Sequence, residues 1–138
     1  MSDQIRNRDA SLKITRALPA DDTAVLSDPI DTGKSTSLGA QVANIDYELA
    51  APALATGQLA DTKTMTYDVV HGDAADLSDA VDLYPGFIVQ TGAGGAGAAA
   101  ATKLFRIPSD AKQYVGFRVT PSAAADASAA NATLDVLM

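Results

Sequence analysis

Gln113-Tyr114-Val115-Gly116-Phe117-Arg118-Val119-Thr120 is the stretch that decides how this chain must be read. Successive side chains of an extended strand point to opposite sides, so Val115, Phe117 and Val119 share one face and Tyr114, Arg118 and Thr120 the other. A helix would scatter the same apolar residues around its axis. The period of two recurs upstream. Met65, Tyr67 and Val69 alternate with Thr64, Thr66 and Asp68, and Ile45, Tyr47 and Leu49 alternate with Asn44, Asp46 and Glu48. Three such half-buried runs predict a sheet protein.

The remaining runs fit between turn residues. Leu12 and Ile14 open the first strand, which Leu18-Pro19-Ala20-Asp21-Asp22 ends. Val25 to Ile30 is the second, and Pro29 marks it as an edge strand because proline cannot donate to a ladder. Tyr84 to Thr91 begins with Pro85-Gly86, the composition of a bulge. Thr102 to Ile107 leads through Pro108-Ser109-Asp110-Ala111 to the stretch quoted above, and Ala132 to Met138 closes the set. The alanine clusters at 96–101 and 123–132 sit beside Gly, Pro, Ser and Asp and read as loops. The expected fold is all-β: an eight-stranded, jelly-roll-like antiparallel β-sandwich over residues 12–138, with an extended polar arm over 1–11. An immunoglobulin-type sandwich lacks its cysteine pair and tryptophan here.

A chain of 138 residues makes one domain with one core. Its formal charge is -7, and Glu48 is its single glutamate; the aspartates that supply the rest of the acid favour turns over helices. Acidic balance disfavours nucleic acid as a partner. With no cysteine there is neither a disulfide framework nor a thiolate site. No run approaches the ~20 apolar residues of a membrane span, and Met1-Ser2-Asp3-Gln4 does not open a signal peptide, so synthesis in the cytoplasm is expected. Against this acidic body, Arg6, Arg8, Lys13 and Arg16 concentrate positive charge at the start, as an arm that docks on an acidic neighbour would.

Several motifs suggest chemistry and fail its physical requirements. Gly92-Ala93-Gly94-Gly95-Ala96-Gly97 has the letters of a dinucleotide fingerprint, but Leu104-Phe105-Arg106-Ile107 reads as a strand where a phosphate-binding helix is needed. Gly33-Lys34-Ser35 ends like a phosphate loop, yet Asp28 stands where its first glycine belongs. Asp31-Thr32-Gly33 resembles the aspartic-protease triplet, with Lys34 placed to disturb a shared proton. Asp73, Asp76, Asp79 and Asp82 recur every third residue without the spacing of a calcium loop, and predict a solvated acidic loop. His71 has no nucleophile in a triad frame and is expected as a hydrogen-bonded residue at a strand end. No cofactor or metal is expected.

Taken in order, these features resemble the jelly-roll capsid cement, or decoration, proteins of tailed bacteriophages. The likeness covers residues 12–138. It rests on the Leu18-Pro19-Ala20 turn, Ile30-Asp31-Thr32-Gly33, the loop Asp73-Ala74-Ala75-Asp76-Leu77-Ser78-Asp79, the strands 104–108 and 113–119, and the final Ala132-Thr133-Leu134-Asp135-Val136. The Gly/Ala loop at 92–101 and the arm at 1–11 depart from the family pattern. The resemblance implies a non-enzymatic protein on the outer surface of the virion that bridges neighbouring major capsid subunits and stabilises the shell against DNA pressure. It implies self-association as well, a homodimer in preference to a homotrimer. Expected contact residues are Arg6, Arg8, Lys13 and Arg16 of the arm, and Gly92, Gly94, Gly95 and Gly97 of the loop. Two other readings stand beside it: a carbohydrate- or ligand-binding jelly roll using outward-facing Tyr84 and Tyr114, and a hydrolase using Asp31.

Overall fold

The computed structural model describes residues 13–32, 46–108 and 110–137. Among them there is no helix. Nine strands run in order: β1 (Ile14–Ala17), β2 (Val25–Leu26), β3 (Ile30–Asp31), β4 (Asp46–Ala51), β5 (Thr64–Gly72), β6 (Val81–Thr91), β7 (Ala101–Arg106), β8 (Tyr114–Pro121) and β9 (Asn131–Leu137). They form two antiparallel sheets, ordered β1-β9-β4-β7 and β2-β8-β5-β6, with β3 also paired to β8.

Nine strands replace the expected eight because the run 25–30 divides. Val25 pairs with Val119 and Ile30 with Val115, but between them Ser27 turns its side chain into the ladder. Ser27 Oγ accepts the Phe117 amide at 2.9 Å and donates to the Asp28 carbonyl at 2.9 Å. With Pro29 unable to donate, the strand breaks there and continues as two short edge pieces.

Alternation is clearest in β4, where Tyr47, Leu49 and Ala51 are buried between half-buried neighbours. Those residues meet Met65, Tyr67 and Val69 of β5 and Val115, Phe117 and Val119 of β8 in one core between the sheets. Burying each such side chain contributes about 1.5–3 kcal/mol. One flank of the sandwich is closed by rings. Tyr47 stacks on Phe105 at 5.3 Å between centroids, and Tyr84 and Phe87 of β6 approach Phe105 edge-on at 5.7 and 5.3 Å.

The Pro85-Gly86 bulge lies within β6, because that strand begins at Val81 and its register with β5 shifts between Ile88 and Tyr84. Gly86 takes a positive φ of 61°, and its amide donates to Asp68 Oδ1 at 2.7 Å. Asp68 is buried on the outer face of β5, where the Arg118 guanidinium holds its other oxygen at 3.1 Å and also pairs with Asp82.

The aspartate-rich loop is folded down over the same outer face. Leu77, buried despite a positive φ of 59°, reaches Gly116: a Cβ at residue 116 would sit 2.7 Å from Leu77 Cδ1. Glycine at 116 is what lets the loop lie against the sheet.

Candidate functional site

The glycine loop is held tightly by its own chain. It carries the backbone from β6 in one sheet to β7 in the other and lies along residues 54–63. Leu54 and Ala98 exchange both backbone hydrogen bonds at 2.9 Å; the Gly92 amide donates to Lys63 O and its carbonyl accepts from Thr62. A Cβ at Gly92 would strike the Ala60 carbonyl, and one at Gly97 the Leu54 carbonyl, so both positions admit only hydrogen. Gly92 and Gly97 are buried, while Gly94 and Gly95 are exposed at the tip. The Gly95 amide donates to Asp61 Oδ1 at 2.9 Å. A strand follows the loop, as the failed fingerprint required.

Of the basic candidates, Arg6 and Arg8 lie outside the described residues. Lys13 and Arg16 are exposed at and just before β1, and neither has an ionic partner among the described residues. Ala17 is level with Asn131 and Ile14 with Leu134, so β1 runs toward the end of the sandwich that carries the glycine loop. Lys13 therefore sits at the far end of β1 from the loop. Arg16, level with Ala132, lies nearer the loop end of the strand.

The other sequence candidates have structural partners. Asp31 on β3 accepts from Gln113 Nε2 at 2.9 Å, and Thr32 Oγ1 donates to the Gln113 carbonyl at 2.7 Å. Gly33 and Lys34 lie outside the described residues. His71 is the last residue but one of β5, and its Nδ1 accepts the Lys112 amide at 3.0 Å, the strand-end role expected of it. In the acidic loop the Asp79 carboxylate accepts the amides of Ala74 and Asp73, and Asp76 that of Ser78. Those bonds hold both carboxyls below the ordinary value of 3.8. Asp126 is lowered in the same way by the hydroxyl and amide of Ser128. Among the described residues no three His, Cys, Asp or Glu side chains cluster to hold a metal, and no helix is long and apolar enough to cross a membrane.

Tyr84, expected to face outward, turns instead into the ring cluster, and its hydroxyl donates to Arg106 O at 2.7 Å. None of the seven aromatic side chains stands exposed.

Two features were missed in the sequence. One is a buried lock: Tyr67 donates to Gln90 Oε1 at 2.7 Å, and Gln90 Nε2 donates to the carbonyls of Pro52 and Ala99 at 2.7 and 2.9 Å. The other is a pocket of about 130 Å³ between residues 58–65 and 121–125, floored by Leu59, Met65 and Pro121 and walled by alanines. Lys63 is its one charged lining residue. The pocket comes from two loops 60 residues apart that carry no motif; only the density of alanine after Pro121 hints at it. No protein-family model matches the chain, and no curated protein matches it in sequence.

Proposed function

We propose that this chain is a non-enzymatic docking module of jelly-roll connectivity, a cement protein that binds the outer surface of a tailed-phage head and bridges neighbouring major capsid subunits. The observation that carries this reading is the pairing of strands from opposite ends of the chain. β1 pairs with β9, β2 and β3 with β8, β4 with β7, and β5 with β6. One long hairpin wrapped into two sheets has this order, and so does the jelly roll. Strands spent on one another leave binding to loops and edges.

Charge supports the same reading. On a body of net charge -7, Lys13 and Arg16 have no ionic partner among the described residues and are free to meet an acidic neighbour. Of the two rings a sugar site would use, Tyr84 is taken up by the ring cluster and Tyr114 is half-buried. A protein that binds the assembled shell and not its separated subunits stabilises the shell by mass action, and many modest contacts add on a symmetric lattice. Self-association, as a dimer in preference to a trimer, would repeat one patch around a symmetry axis.

Co-sedimentation with expanded heads of the phage that encodes the chain tests this. Saturation at a fixed ratio to capsid subunits is expected. Binding that never saturates, or none, overturns it.

A further inference from the structure

We propose that the pocket between residues 58–65 and 121–125 is a socket for one aliphatic side chain of a partner protein, read together with a carboxylate beside it. This rests on the docking reading above for the kind of partner. The pocket's size limits what enters. At about 130 Å³ it is smaller than the ~150 Å³ apolar cavity that accommodates benzene, and far below the ~300 Å³ at which drug-sized ligand sites begin. A leucine-sized group fills it; a dinucleotide or an acyl chain does not. Leu59, Met65, Pro121 and Ala123 offer hydrocarbon, with no ring for a sugar to stack on.

Charge completes the recognition. Lys63 is the pocket's charged residue on a protein whose net charge is -7, and it has no ionic partner among the described residues. The carboxylates next to it in the chain or the pocket wall are already engaged: Asp61 by the Gly95 amide and Asp126 by Ser128. An incoming carboxylate therefore meets a cation that neither neighbouring aspartate has paired with. Buried apolar anchors with charged neighbours are how small interfaces gain both energy and orientation. The socket also adjoins the glycine loop, which is hydrogen-bonded to Lys63 and Thr62 through Gly92, so a partner seated there would reach the exposed tip at Gly94 and Gly95.

The test uses the whole chain with its methyl groups observed by NMR. The probe is the peptide acetyl-Gly-Leu-Asp-Gly-amide, compared with analogues carrying Lys for Asp, Ala for Leu, and with octanoate. The Leu-Asp peptide is expected to shift the Met65 and Ala123 methyls saturably. The Lys analogue and the Lys63→Glu variant should each bind roughly fivefold more weakly, and the Ala analogue should lose binding. Absent saturable shifts, equal binding of the Lys analogue, or stronger binding of octanoate would each overturn the socket. Lys63 is exposed, so the variant keeps its fold, and the unchanged remainder of the spectrum checks this. Shell binding without peptide binding sinks the socket alone; peptide binding without shell binding sinks the cement reading alone.

Discussion

The hydroxyl of Tyr67 lies 2.7 Å from Oε1 of Gln90, and both side chains are buried between the sheets. The Gln90 amide spends its two hydrogens on Pro52 and Ala99, carbonyls that flank β4 and β7. One side chain thus ties its own sheet to the edge of the other, with every polar atom satisfied. Gln90→Leu should cost about 1–3 kcal/mol, because it strands a buried hydroxyl and two carbonyls. Tyr67→Phe should cost about 1–2 kcal/mol. In chemical denaturation the double variant should cost less than the sum of the two, since each single change already breaks the shared bond.

Glycine matters differently at two ends of one loop. Gly97→Ala must move the Leu54 carbonyl or abandon the Leu54–Ala98 bridge, whereas Gly95→Ala meets open space and bears only a φ of 66°. The second change should cost about 1–2 kcal/mol. The first should cost clearly more, and thermal melts of the two variants side by side give the comparison.

Acid should loosen the loop at 73–80 before it unfolds the sandwich. Amides of Ala74 and Asp73 hold the Asp79 carboxyl down, and Ser78 does the same for Asp76. Folded values below 3.8 mean that this contribution is complete above that pH and is lost as pH falls through the depressed values. Hydrogen exchange at Asp73 and Ala74 should accelerate there first. In Asp79→Ala those amides should exchange fast at neutral pH as well.

Alkali acts on the core instead. Burial pushes the Tyr47 phenol up to about 12 and that of Tyr67 still further, against 10.0 for a solvated phenol. An unfolded chain ionises first, so the stabilisation is whole below pH ~10 and declines as pH rises through ~12. Unfolding and phenolate absorbance should appear together in that window. Tyr47→Phe should move the midpoint upward.

Removing the cations of the arm tests the proposed docking surface directly. With Arg6, Arg8, Lys13 and Arg16 replaced by Ala, binding to expanded heads should weaken and depend less on salt, as expected when exposed charges drive association. Undiminished binding would take the arm out of the interface.

Much of the architecture was legible because it depended on period two. Val115, Phe117 and Val119, and Met65, Tyr67 and Val69, point inward as their spacing required. Pro29 placed its strand at a sheet edge, and Pro85-Gly86 produced a bulge. What stayed hidden depends on contacts between distant segments. Nothing near Tyr84 told it to turn toward Phe105, nothing near Gln90 announced the carbonyls it would hold, and Leu77 looked like part of a solvated loop until Gly116 gave it a place to lie. The pocket was invisible for the same reason: its two walls meet only in the folded chain.

The position of β9 dictates when the fold can appear. It lies between β1 and β4, and β8 likewise lies between β2 and β5, so each sheet receives a central strand from the last quarter of these residues. While those strands are inside the ribosome, β1, β2 and β3 have no neighbour to pair with, and β4 and β5 each have one in place of two. Folding must wait for synthesis to pass them, and then proceeds through distant pairings that close slowly. A chain stopped after Ala125 should accordingly be digested by protease as readily as a denatured one. Until β9 has emerged, a nascent copy is open to chaperones and to other nascent copies.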